Sequence, residues 1–98
     1  MSTTVDTDAE IFRIKSTSNV NTTAVAMFHS IKKGRPIEMQ AVGAGAVNQL
    51  FKIAVHASGL VAREGRQLLL RPGMRNVMGT VQEKAQEISV VTARLVLD

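Results

Sequence analysis

The 98-residue chain contains no cysteine, tryptophan or tyrosine. Without cysteine it has no disulfide framework, no thiolate nucleophile and no thiolate metal site, and a reducing, cytoplasmic compartment is the expectation. Phe12, Phe28 and Phe51 are the only aromatics, so the core must be built from aliphatic layers and recognition of bases by stacking is not expected. No apolar run approaches the ~18 residues of a membrane span. The amino terminus is polar and acidic where a secretory signal is basic and then apolar, so no membrane partner is expected. Catalytic parts are equally scarce. His29 and His56 fall on different helical segments with no metal-ligand spacing around them, and Ser30 and Ser58 neighbour them in sequence alone, whereas a triad needs three side chains converging in space. Glu38, Glu64, Glu83 and Glu87 are scattered. An enzyme, a cofactor and a metal are therefore not expected.

Negative charge is concentrated at the start of the chain. Three of the eight acidic residues, Asp6, Asp8 and Glu10, lie in the first ten positions, so residues 11–98 carry 12 basic against 5 acidic side chains. Such a surplus points towards a polyanionic partner. Residues 1–9, rich in Ser, Thr and Asp, read as a loose acidic tail. Residues 10–98 read as a single domain with 45% hydrophobic content over the whole chain.

Within that domain, Phe12 and Ile14 alternate with Arg13 and Lys15, the period of a half-buried strand. Ser16 to Asn19 and Asn21 offer helix N-caps ahead of Ala24, Met27, Phe28 and Ile31, whose spacing predicts a helix over about 20–33. Lys32-Lys33-Gly34 suits the helix's end, and Pro36 forbids its continuation. Residues 37–42 alternate as a second strand. A second helix follows the turn Gly43-Ala44-Gly45, with Val47, Leu50, Phe51, Ala54 and Ala57 as its apolar stripe, and Gly59 is expected to end it near Ser58. Gln67 to Arg71 reads as a short third strand closed by Pro72-Gly73. Met74 to Gln86 reads as a long hairpin arm, and Glu87 to Leu97 as the last strand. The order strand, helix, strand, helix, strand, strand implies an α/β (α+β) two-layer sandwich, with two helices on one face of a mixed four-stranded sheet.

The glycine turn carries the sharpest chemical signal. It fails the dinucleotide fingerprint, because Asn48 stands where the third glycine belongs, and it lacks the Gly-Lys-Ser/Thr ending of a phosphate-binding loop. What it does provide is a strand-to-helix turn of very small residues. Such a turn leaves the first N–H groups of a helix uncovered, and these attract phosphate. Asn48 and Gln49 add side-chain donors in that first turn. A tight turn that needs glycine only for its backbone angles explains the spacing equally well. Two basic patches surround it in sequence: Lys32, Lys33 and Arg35, and then Arg63, Arg66, Arg71 and Arg75. Each is a phosphate-binding candidate if it lies beside the turn in space.

The stretch Glu-Met-Gln-Ala-Val-Gly-Ala-Gly-Ala-Val-Asn-Gln, residues 38–49, closely resembles the signature of the bacterial stage V sporulation protein S family. The likeness runs more loosely from Ile14-Lys15-Ser16 through Gly59-Leu60-Val61 to the closing strand. That family looks like a bacterial branch of the Alba superfamily of small dimers that bind DNA or RNA. The resemblance implies the β-α-β-α-β-β topology and a homodimer. It also implies a nucleic-acid surface at Lys15 and Ser16, at Gly43, Gly45 and Asn48, and at Arg75 and Lys84 of the arm. Here Gly43 and Gly45 flank Ala44 where Alba proteins have arginines, and Ser16-Thr17 replaces a lysine pair. The expected function is thus backbone-directed binding of DNA or RNA with little sequence specificity, in a chromatin-like or regulatory role, nucleoid-associated if the partner is DNA. The alternative is a protein-interaction or assembly factor in development or regulation, in which the small-residue turn admits a partner's backbone.

Overall fold

The computed structural model describes residues 9–98; residues 1–8 of the expected tail lie outside the described residues. The elements are β1 (Glu10–Ile14), α1 (Val20–Lys32), β2 (Ile37–Ala41), α2 (Ala44–Ala62), β3 (Leu68–Val81) and β4 (Lys84–Leu97). Together they form a four-stranded mixed sheet in the order β1-β2-β4-β3, with β1 and β2 parallel and the remaining pairs antiparallel. Both helices cover one face. Strand residues Ile14, Met39, Ala41 and Ala93 meet Ala24 and Met27 of α1 and Leu50, Ile53 and Ala57 of α2 in one buried cluster. No polar or charged side chain is buried among the described residues. The core is thus held by aliphatic burial, worth about 1.5–3 kcal/mol for each large side chain.

Helix α1 begins where Asn19 accepts a hydrogen bond from the Thr22 N–H, and ends at Lys33 before Gly34, whose φ of 76° suits a left-handed C-terminal residue. Helix α2 outruns the sequence expectation, passing through Gly59 to Ala62. Val61, one turn beyond Ala57 and 2% exposed, continues the buried stripe. Its burial outweighs the roughly 1 kcal/mol that a glycine costs inside a helix. The stripe is also rotated from the predicted one: Ile53 is buried, whereas Phe51 is 56% exposed.

Strand β3 is the larger surprise. It does not close at Pro72-Gly73 but continues to Val81, paired residue for residue with β4 from Leu68↔Leu97 to Val81↔Lys84. An edge strand tolerates proline, because the missing N–H falls on the open side of the ladder. The expected arm therefore exists as an extension of β3 and β4 themselves. Pairing of β4 with β2 stops at Ala41↔Val91, and Arg75 to Val90 form a two-stranded ribbon beyond it. Solvent reaches both faces of this ribbon, which is why its sequence shows no burial period. Gln82 and Glu83, both with positive φ, make the two-residue turn at its tip.

Candidate nucleic-acid interface

The parallel strands β1 and β2 deliver their carboxyl ends to the same edge of the sheet, and α2 starts there. Gly43 is its N-cap, at φ 90° and ψ 159°, a conformation essentially restricted to glycine. No side chain caps this end, so the first-turn N–H groups carry the positive pole of the helix without a side-chain acceptor. Gly45 has a different reason for being small. A Cβ placed on it meets the Ser16 Cβ at 3.0 Å, which records how closely the loop after β1 packs on the first turn of α2. That loop is tied down at two further points. Ser18 Oγ accepts from the Lys15 N–H at 2.8 Å, and Gln49 Nε2 donates to the Ser18 carbonyl at 2.9 Å. Gln49 is therefore a structural tie, while Asn48 stays exposed.

A cleft of about 540 Å³ opens at this edge, lined by Arg13, Lys15, Ser16, Gln40, Gly45 and Val90 among others. Val90 pairs with Arg75 at the root of the arm. Lys15, Ser16, Gly43, Gly45, Asn48 and Arg75 thus gather at one end of the molecule. Lys84 lies at the tip of the arm on the same side, about 20 Å past Val90 at 3.3 Å per residue. Arg63 and Arg66 do not join them: they follow the far end of α2, roughly 28 Å along a 19-residue helix. Lys32 and Arg35 are also remote and partly neutralised, by Glu64 at 3.0 Å and Glu10 at 3.7 Å. Arg71 sits on the sheet face opposite the helices, directly across from Arg94.

That open face adds residues the sequence reading passed over. Glu38 on β2 is held by Arg75 Nη2 at 3.3 Å, Arg94 Nη2 at 3.5 Å and Gln40 Nε2 at 2.8 Å. Arg13 shares this face. The signal was present in the strict alternation of β1, β2 and β4, which puts Arg13, Glu38, Gln40, Thr92 and Arg94 outward together. Only the register, pairing Glu38 with Arg94, turns that alternation into contacts. The arm adds no net charge, since Arg75 and Lys84 are balanced by Glu83 and Glu87. It does expose Met74, Val77, Met78 and Val81. Among the described residues no group of His, Asp or Glu side chains is placed to hold a metal, and no helix is long and apolar enough to cross a membrane.

The model of a family described as Stage V sporulation protein S (SpoVS) matches residues 10–95. Among solved structures, Alba from Thermoplasma volcanium is similar in fold, with a TM-score of 0.67 over 88% of this chain and 98% of that one. Sequence identity between the two is 8%, so that likeness concerns the fold.

Proposed function

The chain belongs to the stage V sporulation protein S family, and from that membership, its Alba-like fold and the basic end of the sheet we propose that it binds nucleic acid. The partner is DNA or RNA, held through its sugar-phosphate backbone with little base readout. The observation that carries this reading is the meeting of the uncapped α2 amino terminus with Lys15, Ser16 and Arg13 around one open cleft, whose Val90 wall pairs with Arg75. Backbone donors at a helix start bind phosphate oxygens, and the surrounding cations supply longer-range attraction. Among the described residues Phe51 is the one exposed aromatic, and it lies in the α2–β3 groove and not in the cleft lining, which offers no stacking platform for single-stranded bases.

A homodimer completes the reading. Phe51 and Val55, 56% and 72% exposed, border a groove between α2 and β3 floored by Leu68 and Leu70. A second copy is the proposed occupant, because a two-fold axis beside the open β3 edge covers the same apolar groove on both chains and sets two basic ends along one polyanion.

Titration of labelled duplex DNA and of RNA across a series of salt concentrations tests the function. Log affinity should fall linearly with log salt, at a slope of about −0.9 per phosphate engaged on duplex DNA. No binding to either nucleic acid at low salt would overturn the proposal.

A further inference from the structure

Both helices pack on one side of the sheet, and no described element covers the other. Alternation along the strands puts Ile11 and Arg13 of β1, Glu38 and Gln40 of β2, Arg94 and Val96 of β4, and Leu69, Arg71 and Arg75 of β3 on that open side. Its charge is one-sided, with four arginines against the single carboxylate of Glu38. Arg13 and Arg71 form no ion pair with a described residue. Towards the end of the sheet where β1 begins, the same face is apolar. Ile11, Val96 and Leu69 are 37%, 41% and 45% exposed there, and Val96 pairs directly with Leu69. A surface that is basic over one half and apolar over the other fits an acidic segment that carries an apolar side chain. A second copy of the same face does not fit it, because like charges would meet.

The chain itself supplies such a segment. Residues 1–8 carry Val5, Asp6 and Asp8 and no Lys or Arg. They join the described structure at Ala9, two positions before Ile11, on an edge strand of the sheet. At about 4.8 Å between strands, Leu69 and Arg71 lie roughly 14 Å across from β1, whereas eight extended residues reach up to about 26 Å. Other cations near that junction are already met: Arg35 pairs with Glu10, and Lys32 with Glu64. We propose that residues 1–8 lie across the open sheet face as a tethered competitor of nucleic acid, with Val5 on the patch of Ile11, Val96 and Leu69 and the two aspartates towards Arg71 and Arg13. The docking stands on this face alone. Its effect on affinity rests on the nucleic-acid reading and deepens it, because Arg13 also lines the cleft. A tether makes even a weak contact effective, since it holds the segment at a local concentration of about 1 mM or more.

Docking is tested without nucleic acid. The chain has no cysteine, so Thr3→Cys admits a single nitroxide label. Amide signals of Leu69 to Arg71 and of Arg94 to Val96 should broaden most, and the effect should fade at high salt and in Arg71→Gln. Broadening centred on Lys33 to Arg35, or none beyond β1, overturns the proposal. Labelled chains mixed with unlabelled, isotope-enriched ones should leave the enriched chains sharp; if those broaden instead, the segment docks on a second copy and the proposal falls. Competition is read by fluorescence anisotropy of a labelled duplex. Deletion of residues 2–8, or Asp6→Asn with Asp8→Asn, should tighten binding about threefold to tenfold at low salt, and the gain should vanish as salt rises. Val5→Ser leaves the charge unchanged and should give part of that gain, which a purely long-range effect of the aspartates would not. Equal affinity with and without residues 2–8 overturns the competition and leaves the function standing. Failure of every protein to bind DNA or RNA at low salt overturns the function, and the competition falls with it.

Discussion

Gly43 and Gly45 sit two positions apart and answer to different constraints. Gly43 is fixed by its backbone, since φ 90° with ψ 159° is a conformation that a Cβ opposes, and nothing crowds it. Gly45 is fixed by its neighbour, Ser16, across a 3.0 Å approach. Gly43→Ala should therefore destabilise the fold by about 1–3 kcal/mol, read as a lower urea midpoint, and no change at Ser16 should rescue it. Gly45→Ala should be partly restored by Ser16→Gly in the same measurement, because the contact and not the torsion is at fault. From sequence, both glycines read as one small-residue turn. Spacing alone does not separate an angular requirement from a packing requirement, as that distinction depends on where the loop after β1 comes to rest.

Among the elements, the ones with a single wet face were legible in full. Phe12 and Ile14 alternating with Arg13, and Ile37, Met39 and Ala41 alternating with Glu38 and Gln40, found their faces in the structure. Helix α2 and strand β3 ran longer than expected, because Gly59 and Pro72-Gly73 are local stop signals that tertiary position overrode: one by the burial of Val61, the other by the open edge of the sheet. The candidate site was readable as segments, Lys15-Ser16, Gly43 to Asn48 and the arm, but not the distance of Arg63 and Arg66 from it, nor the contacts of Glu38 with Arg75 and Arg94, which exist only in the register. The arm itself is the element least buttressed by the core. Its turn places Gln82 and Glu83 at φ 52° and 64°, angles that an Asn-Gly pair adopts with less strain. The double substitution Gln82→Asn with Glu83→Gly should stabilise the ribbon by about 1 kcal/mol. The gain should appear in hydrogen exchange of residues 77–88 more than in global unfolding, because a two-stranded ribbon opens locally.

For the molecule as a whole, the most exposed apolar side chains are Val55 in the α2–β3 groove and Met78 on the arm, while positive charge flanks the cleft and the open sheet face. Light scattering should report a dimer for the wild type and a folded monomer for Phe51→Glu, which buries a charge in the proposed contact. The same variant should lose affinity for long duplexes more than for short ones, since two linked sites gain from effective concentration only when both can be engaged. A Phe51→Glu protein that stays dimeric would remove this groove from the account. A final consequence belongs to Pro72, which sits partway along a 14-residue edge strand bearing exposed Leu69, Met74, Val77 and Val81. An edge of that length and composition is a template on which further chains can add laterally into fibrils. A residue with no N–H interrupts the donor row at one point and breaks the template into two shorter pieces. Pro72→Thr, though better suited to a strand, should shorten the lag before a dye that reports cross-β structure begins to rise on agitation.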